Sequence, residues 1–321
     1  MRVFVTGATG FIGGHVARKL RDRGEDVVAL VRSPDKAGDL RELGCELVEG
    51  DLSDEAAIKK GVEGCDAVVH GGAVYKVGIP KKEREAMWDA NVRGTERVLD
   101  AAHEAGAQRV VYVSTCNVFG NTKGELVDES YRRDESEGFL SYYDETKYRA
   151  HEVAEDRLGK GYPIVIVQPG GVYGPNDHSE IGNMIDQART GKLKMKMFPE
   201  TGFMLIHVED VAEGILLALD KGEVGEAYVL AGEQMRMGDL VDRVCEMSGR
   251  KPPRGTMPAV LMKASAPLGP VVGPLMGFPP NLGELIKVSD GVTYWATDAK
   301  ARRELGFKPR DLETGLKDTL P

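Results

Sequence analysis

Cysteine and histidine are both scarce in this chain of 321 residues, and neither type is clustered. Because the four cysteines lack disulfide or metal spacing, we interpret them as buried thiols of a reducing compartment, namely Cys45, Cys65, Cys116 and Cys245. The six histidines show no spacing typical of metal ligands, so we predict no metal site. These two scarcities argue against a disulfide-rich secreted domain and against a zinc-binding module.

Excess positive charge and long apolar runs are also missing. The 51 acidic residues outnumber the 42 lysines and arginines, which gives a net charge of −9, and no basic stripe indicates a nucleic-acid partner. No apolar run approaches the ~20 residues of a membrane span, and the chain opens on a strand-like segment instead of an export signal. We therefore expect a cytoplasmic protein that buries a core as one domain or one and a half.

The most informative segment is TGATGFIG, residues 6–13, which follows an apolar strand candidate and precedes a helical pattern. A glycine turn lets backbone N–H groups approach a pyrophosphate closely, and the following helix N-terminus carries a partial positive charge. Gly7 suits the tight turn, Gly10 the close approach and Gly13 the packing of helix against strand. A glycine triplet also fits a tight turn without a ligand, but its place between a strand and a helix favours dinucleotide binding.

Short apolar runs alternate with helical periods along the first two thirds of the chain. Because the strand candidates are largely continuously apolar and are separated by helices, they predict a doubly wound parallel sheet, the Rossmann type of α/β fold. The predicted strands cover residues 3–6, 27–31, 46–49, 67–70, 109–114 and 164–168. The predicted helices cover residues 13–23, 35–43, 54–62, 84–104, 143–158 and 208–219.

The pattern loosens after Pro169, which predicts a smaller C-terminal lobe for substrate binding. We assign residues 1–175 to the dinucleotide-binding domain, with residues 208–230 returning to it, and residues 176–207 and 231–321 to the lobe. In doubly wound sheets, ligands bind beyond the carboxyl ends of the strands. The residues that follow each strand are therefore the candidates for the chemistry.

Residues after the second, third and fourth strands bear on the choice of cofactor. Val31 stands where an NAD site would place an acidic residue on the ribose, and the guanidinium of Arg32, which follows it, suits the 2′-phosphate of NADP. Asp51-Leu52 is placed to hold the adenine edge, and Gly71-Gly72-Ala73 would let the backbone run beside the nicotinamide ribose. The plain alternatives are an exposed arginine, an acidic turn and a close crossing of helix and strand.

Three polar side chains fit hydride chemistry at a carbinol carbon. Thr115 follows the fifth strand, and Tyr143 and Lys147 lie at i and i+4 on one helix face. A tyrosine with a pKa of ~10 is a weak base, but a neighbouring ammonium and an oxidised nicotinamide favour its phenolate. Thr115 would hydrogen-bond the substrate oxygen and hold it against the phenol. Tyr142 has no lysine four residues on, and a solvated surface pair is the alternative for Tyr143 and Lys147.

Together these motifs resemble the extended short-chain dehydrogenase/reductase family over nearly the whole chain. The glycine turn resembles that family's cofactor turn, and Thr115, Tyr143 and Lys147 fall on its catalytic positions. The resemblance implies that Asn91 supports a proton-relay water, that residues 169–175 lie against the nicotinamide, and that helices 84–104 and 143–158 form a homodimer contact. The predicted cofactor contacts are Gly7, Thr9, Gly10, Phe11, Ile12, Gly13, Arg32, Asp51, Leu52, Gly71, Gly72, Ala73, Ser114, Tyr143, Lys147, Pro169, Gly170 and Val172.

Departures from the family's patterns bear on the substrate. Nucleotide-sugar epimerases of the family carry an arginine just before the His-Val-x-Asp motif, where this chain has the apolar residues 203–205. Dehydratases place Asp-Glu after the threonine, where this chain has Cys116 and Asn117. The Arg32 position and the apolar residues 257–280 instead resemble the dihydroflavonol-reductase and 3β-hydroxysteroid-dehydrogenase branch, although residues 257–280 also fit ordinary core of the lobe.

These observations predict an NADP-dependent oxidoreductase, with NAD as the less favoured cofactor. The expected substrate is a small molecule, a secondary alcohol or ketone that is uncharged and moderately apolar, and its predicted contacts are Thr115, Tyr143 and Phe203. One alternative is a nucleotide-sugar 4-epimerase. Another is a non-catalytic NADP-sensing module, against which the intact Thr-Tyr-Lys set argues.

Overall fold

The computed structural model describes the chain except residues 259, 261, 264–265, 267–278 and 321. Its strands are β1 (Arg2–Thr6), β2 (Asp26–Val31), β3 (Glu46–Glu49), β4 (Ala67–His70), β5 (Arg109–Val113), β6 (Ile164–Pro169), β7 (Gly171–Tyr173), β8 (Gly202–His207), β9 (Ala227–Leu230), β10 (Glu233–Arg236) and β11 (Thr293–Tyr294). Seven of them form a parallel sheet in the order β3-β2-β1-β4-β5-β6-β9. The chain order reverses between β1 and β4, which confirms the predicted doubly wound fold and places its ligand crevice there.

The helices cover both faces of this sheet and extend into the C-terminal lobe. They are α1 (Phe11–Asp22), α2 (Gly38–Glu42), α3 (Glu55–Val62), α4 (Arg84–Trp88), α5 (Gly94–Glu104), α6 (Tyr142–Gly159), α7 (Glu180–Thr190), α8 (Val208–Lys221), α9 (Met237–Met247), α10 (Leu282–Ser289), α11 (Ala299–Leu305) and α12 (Leu312–Thr319). Val3 and Val5 of β1 point into the core with α1, α8 and α11, whereas Phe4 points into the core with α3, α5 and α6. Burial on both faces explains why the strands are so apolar.

Two predicted helices are interrupted. Residues 35–43 form a 3₁₀ turn (Pro34–Lys36) followed by α2, because Gly38 weakens a continuous helix. Residues 84–104 form α4, a π-helical turn (Asp89–Arg93) and α5. The apolar periodicity of the sequence does not predict this widened turn. The Thr95 hydroxyl, at the start of α5, donates to the Asn91 carbonyl in the turn over 2.7 Å. Single π-helical turns inside α-helices occur frequently at functional sites.

A second, smaller sheet lies in the C-terminal half. Strand β8 pairs with β10 in antiparallel and with β7 and β11 in parallel orientation. Its core includes Tyr173, Leu205, Leu240 and Leu316, contributed by strands of this sheet, by α9 and by α12. Strand β7 thus joins the second sheet, although it lies within the predicted dinucleotide-binding range of residues 1–175. The division into two domains stays a prediction.

Three further findings concern the cysteines, membrane-spanning helices and metal sites. All four cysteines are free and buried. Among the described helices, none is both long enough and apolar enough to cross a membrane. Within the described ranges, no three His, Cys, Asp or Glu side chains come together as a metal site. Most of the apolar segment 257–280 lies outside the described residues, so its role as a pocket wall stays a prediction.

Candidate active site and cofactor cleft

The glycine turn after β1 has the shape that a pyrophosphate requires. Gly7 adopts a left-handed φ of +78°, and a Cβ at this position would lie 2.8 Å from the Gly72 nitrogen. Gly10 caps α1 in extended backbone without a side-chain hydrogen bond, and the first turn of α1 holds no acidic residue. The helix N-terminus is therefore free to meet an anion. These residues fit a dinucleotide.

The neighbouring predicted cofactor residues lie at the surface of the same edge of the sheet. Thr9 and Gly10 are exposed, and Phe11 and Ile12 are half-buried. Arg32 is exposed directly after β2. Hydrogen bonds from Ser53 lower the pKa of Asp51, and the Arg32 guanidinium acts in the same direction. Arg32 and Asp51 thus lie close together where β2 and β3 end.

Small residues after β4 let two strand ends approach each other. The Gly72 N–H donates to the Thr6 hydroxyl oxygen over 3.0 Å. A Cβ on Gly72 would lie 3.0 Å from this oxygen and 3.3 Å from Leu52 Cδ1. Gly71 and Ala73 on either side are exposed. The backbone of this segment thus borders the crevice where the chain order reverses.

Helix α6 brings Tyr143 and Lys147 to the end of β5. The Ser141 hydroxyl caps α6 by accepting from the Asp144 N–H, which fixes where the helix begins. Lys147 Nζ donates to the Val113 carbonyl over 3.1 Å, and Thr115 follows two residues later. Thr115 is half-buried, and its hydroxyl accepts from the Asn117 N–H. The predicted catalytic helix is therefore tied directly to the strand end that carries Thr115.

Burial determines the charge states of the Tyr143 and Lys147 side chains. It raises the pKa of the Tyr143 phenol, and the Asp144 carboxylate acts in the same direction. Burial also lowers the pKa of Lys147 to about 8. Without a bound cofactor, the protein therefore favours the protonated phenol of Tyr143 over the predicted phenolate. The protonated phenol is the form that can donate its proton to a developing alkoxide.

Asn91, in the π-helical turn, uses its carboxamide to join two segments. Its Oδ1 accepts from the Val74 N–H over 2.7 Å, and its Nδ2 donates to the Val74 carbonyl over 3.0 Å. Nδ2 also donates to the Thr146 hydroxyl over 2.9 Å. Asn91 therefore holds the segment after β4 against α6, the helix that carries Tyr143 and Lys147. A role in a water relay stays a prediction.

The remaining predicted contacts lie where β5, β6 and β8 meet the cleft. The buried Ser114 hydroxyl shares a hydrogen bond of 3.0 Å with His151 of α6. Pro169 ends β6, and a Cβ on Gly170 would lie 2.3 Å from the Met204 carbonyl oxygen. Val172 pairs with β8, whose Phe203 stacks on Tyr294 with ring centroids 5.2 Å apart.

A buried hydrogen-bond chain through His70 was not predicted from the sequence. Thr6 Oγ1 and His70 Nδ1 are 2.7 Å apart, and His70 Nε2 and Thr95 Oγ1 are 3.0 Å apart. Because Thr95 donates to the Asn91 carbonyl, it accepts from His70 Nε2. Thr6 accepts from the Gly72 N–H and can donate to Nδ1, which is consistent with a neutral His70 that has its proton on Nε2. The only sequence signal was a histidine ending an otherwise apolar strand. These hydrogen bonds link the strand before the glycine turn to the π-helical turn.

We predict that His70 makes the fold lose stability in mild acid. Burial, and then the charge of Lys147, lower the pKa of His70 from 6.5 to about 3. Between these values the unfolded chain binds a proton that the folded chain does not, so stability falls as the pH falls. At pH 5 the free energy of unfolding is expected to be lower by about 2 kcal/mol than at neutral pH. Urea unfolding of the wild type at pH 7 and pH 5 measures it.

The matched comparison uses His70→Gln and His103→Gln, the latter at an exposed histidine stacked on Tyr162. The His70 variant is expected to lose most of this pH dependence, and the His103 variant to keep it. An unchanged difference between the two pH values in His70→Gln would contradict the assignment.

Comparisons with known proteins agree with the fold. Residues 3–231 match the model of the NAD dependent epimerase/dehydratase family. A protein of Synechocystis sp. with the provisional name dihydroflavonol 4-reductase is 33% identical over 99% of this chain and 93% of its own length. The 4-hydroxy-2-methyl-3-oxo-4-farnesyl-3,4-dihydroquinoline-1-oxide ketoreductase of Stigmatella aurantiaca is 32% identical over 97% of this chain and 92% of its own.

A solved structure is also similar to this chain. A nucleoside-diphosphate-sugar epimerase from Pseudomonas aeruginosa superposes with a TM-score of 0.79 and 26% identity, covering 100% of this chain and 96% of the epimerase. Reductases and epimerases are thus both similar to this chain along nearly their whole length. The choice between the two activities depends on the residues around the cleft.

Proposed function

Because this chain belongs to the NAD dependent epimerase/dehydratase family, we propose that it is an NADP-dependent oxidoreductase acting on the secondary alcohol or ketone of an uncharged, moderately apolar substrate. The observation that supports the proposal is the hydrogen bond by which Lys147 of α6 meets Val113, two residues before Thr115, while the buried Tyr143 lies one turn earlier on the same helix. Oxidoreductase activity itself agrees with the named reductases among its relatives.

The bound nicotinamide would supply hydride to the carbonyl carbon or accept it from the carbinol carbon. In reduction, the Thr115 hydroxyl donates a hydrogen bond to the carbonyl oxygen. The Tyr143 phenol transfers its proton to that oxygen as the new C–H bond forms, which leaves a phenolate. The Lys147 ammonium, held by the Val113 carbonyl, stabilises this negative charge. Oxidation returns the proton from the alcohol to Tyr143.

An apolar substrate is supported by Phe203 of β8, which is half-buried, whereas Met204 and Leu205 of the same strand are buried in the core. Phe203, Met204 and Leu205 occupy the segment in which family epimerases carry a diphosphate-binding arginine. Two negative charges in a partly desolvated cleft require such planar cations, whereas apolar surface buried against Phe203 gains about 25 cal/mol per Å². The stack of Phe203 on Tyr294 adds a second ring beside it.

The second candidate is a nucleotide-sugar 4-epimerase, favoured by the likeness to the Pseudomonas aeruginosa epimerase. NADPH oxidation with a panel of aliphatic, aryl, flavonoid and steroid ketones tests the reductase. Calorimetric titration with UDP-glucose and UDP-galactose tests the epimerase. Turnover of a neutral ketone without binding of either nucleotide is the expected result. Micromolar binding of a UDP-sugar together with 4-epimerisation would replace the reductase by the epimerase.

The cofactor preference is expected to depend on Arg32. We predict that NADP(H) binds at least about tenfold more tightly than NAD(H), which is about 1.4 kcal/mol, because the guanidinium fork fits the 2′-phosphate. Arg32→Ala is expected to remove most of this difference. Arg303→Ala, at an arginine paired with Glu304 on α11, is the control. Equal dissociation constants for the two cofactors in the wild type would contradict the proposal.

We further propose a cytoplasmic homodimer that joins through α4, α5 and α6. Several charged residues on and between these helices are paired within the subunit, as in Arg93 with Glu85 at 2.8 Å and Arg97 with Asp89 at 2.8 Å, which lowers the cost of burying them in a contact. The cytoplasmic location is supported by the four free thiols. Light scattering at micromolar concentration is expected to give twice the mass of 34.9 kDa. A monomer mass would refute the stable dimer.

A further inference from the structure

The segment between β4 and α4 carries an aromatic ring beside the candidate catalytic phenol. The rings of Tyr75 and Tyr143 meet edge to face, with centroids 4.7 Å apart and planes at 86°. Tyr75 is 54% exposed, whereas Tyr143 is buried. One part of the Tyr75 ring therefore contacts the candidate proton donor, and the rest is available to another molecule.

Tyr75 also lies within electrostatic range of groups on other elements. Desolvation by the surrounding protein raises the pKa of its phenol, and the Glu180 carboxylate acts in the same direction. Burial also raises the pKa of Tyr294, with further contributions from Asp144 and Tyr75. Tyr294 in turn stacks on Phe203. Tyr75 therefore contacts Tyr143 of α6 and lies near Tyr294 of the second sheet.

The protein holds this segment at both ends. The Asn91 carboxamide forms hydrogen bonds with both the N–H and the carbonyl of Val74. At Gly78, Glu284 Oε2 accepts from the N–H over 2.8 Å, and the carbonyl accepts from the Asn281 N–H over 3.3 Å. Three of these four bonds use a buried or largely buried side chain. A half-exposed tyrosine would not need such anchoring for its own packing.

The Glu284 carboxylate also fixes the start of the catalytic helix. Its Oε1 accepts from the Tyr142 N–H over 3.1 Å and from Arg84 Nη2 over 3.2 Å. The Glu284 side chain is only 10% exposed, and the Arg84 guanidinium covers the Tyr142 ring at 4.7 Å. One residue of α10 therefore sets the positions of both the Tyr75 segment and the helix that carries Tyr143.

From this arrangement we propose that Tyr75 determines substrate specificity in the proposed reaction: its exposed ring packs against the group that flanks the substrate carbonyl, and Glu284 is a positioning residue that holds Tyr75 and Tyr143 in register. The inference rests on the proposed function. A planar aromatic group beside the carbonyl gains most from it, because aromatic pairs have favourable geometries that an alkyl chain lacks.

The test compares two ketones of equal carbon number, acetophenone and 2-octanone, with NADPH. Tyr75→Ala is expected to lower kcat/KM for acetophenone about tenfold or more and for 2-octanone by about threefold or less. Tyr75→Phe is expected to keep the wild-type ratio. The control is Val74→Ala, because Val74 is 40% exposed and is anchored through its backbone. An unchanged ratio in Tyr75→Ala would overturn the proposal.

Calorimetry separates this inference from the proposed function. With NADPH-loaded protein, 1-phenylethanol is expected to bind Tyr75→Ala about tenfold more weakly than the wild type. If the wild type reduces neither ketone, the proposed reaction fails, while this binding comparison still decides the role of Tyr75. Equal affinity of the two proteins, or no binding to either, would overturn the inference.

Glu284→Gln tests whether Glu284 positions both Tyr75 and Tyr143. The variant loses the negative charge that pairs with Arg84 and replaces one of the two oxygens that accept from the Gly78 and Tyr142 N–H groups, so we expect kcat to fall about fivefold or more and the ketone ratio to shift as in Tyr75→Ala. Glu85→Gln, at an exposed carboxylate paired with Arg93, is the matched control and should change neither. A fall in kcat with an unchanged ratio, at an unchanged melting temperature, would show that Glu284 does not position Tyr75.

Discussion

Replacing Tyr143 by phenylalanine is expected to lower kcat by about 100-fold or more and to leave the affinity for NADPH nearly unchanged. The substitution keeps the buried ring and its edge-to-face contact with Tyr75, and removes only the hydroxyl. Without that hydroxyl, no proton is delivered to the alkoxide as it forms. Steady-state turnover of a neutral ketone, together with the NADPH dissociation constant, measures both parts of the prediction.

The control for this prediction is the adjacent tyrosine. Tyr142 is half-buried, and its ring lies under the Arg84 guanidinium. Tyr142→Phe keeps that ring contact and is expected to retain turnover within about twofold. Native turnover in Tyr143→Phe together with its loss in Tyr142→Phe would transfer the role to Tyr142.

Lys147 is expected to act on both cofactor binding and turnover. Lys147→Met keeps the apolar stem but removes the ammonium, so both quantities should worsen. Because burial lowers the pKa of Lys147 to about 8, the ammonium is present below that pH and is lost above it. The wild-type affinity for the anionic cofactor should therefore weaken as the pH rises through about 8, and that of Lys147→Met should change much less. A pH-independent wild-type affinity would exclude this role.

The central sheet was predictable because its strands are buried on both faces and read as apolar runs. Strand β9 was less visible, since its four residues follow α8 closely and only pairing with β6 defines them. The π-helical turn at Asn91 was not predicted, because a single widened turn of five residues is too short to change the apolar period of the whole segment visibly. Local pattern therefore predicted the layers of the fold better than their irregular points.

The candidate site divides in the same way. Tyr143 and Lys147 share one helix face, so their spacing showed the pair directly. Glu284 meets Gly78 and Tyr142 across more than a hundred residues of chain, and no spacing predicts such a contact. The Tyr75 contact also depends on how a connecting segment folds back. The candidate catalytic residues follow a strand end or share a helix face, whereas the residues that hold them in place are identified only by the tertiary structure.

The glycine turn offers the sharpest test of the cofactor cleft, because two adjacent glycines differ in what an added methyl group would meet. At Gly13, a Cβ would lie 2.1 Å from the Gly7 carbonyl oxygen and 2.6 Å from its carbon. Both are backbone atoms of the turn, which cannot swing aside. At Gly14, the nearest atom is the Ala8 carbonyl oxygen at 3.5 Å, an ordinary contact.

Gly13→Ala is therefore expected to weaken NADP(H) binding by about 100-fold or more and to cost about 1–3 kcal/mol of unfolding free energy, because α1 must move away from the turn that would meet the pyrophosphate. Gly14→Ala should bind the cofactor normally and gain about 0.5–1 kcal/mol, since alanine is the better helix former. Calorimetric titration and urea unfolding of both variants measure these effects. Cofactor binding by Gly13→Ala within threefold of the wild type would mean that the close packing of α1 on this turn does not shape the cofactor site.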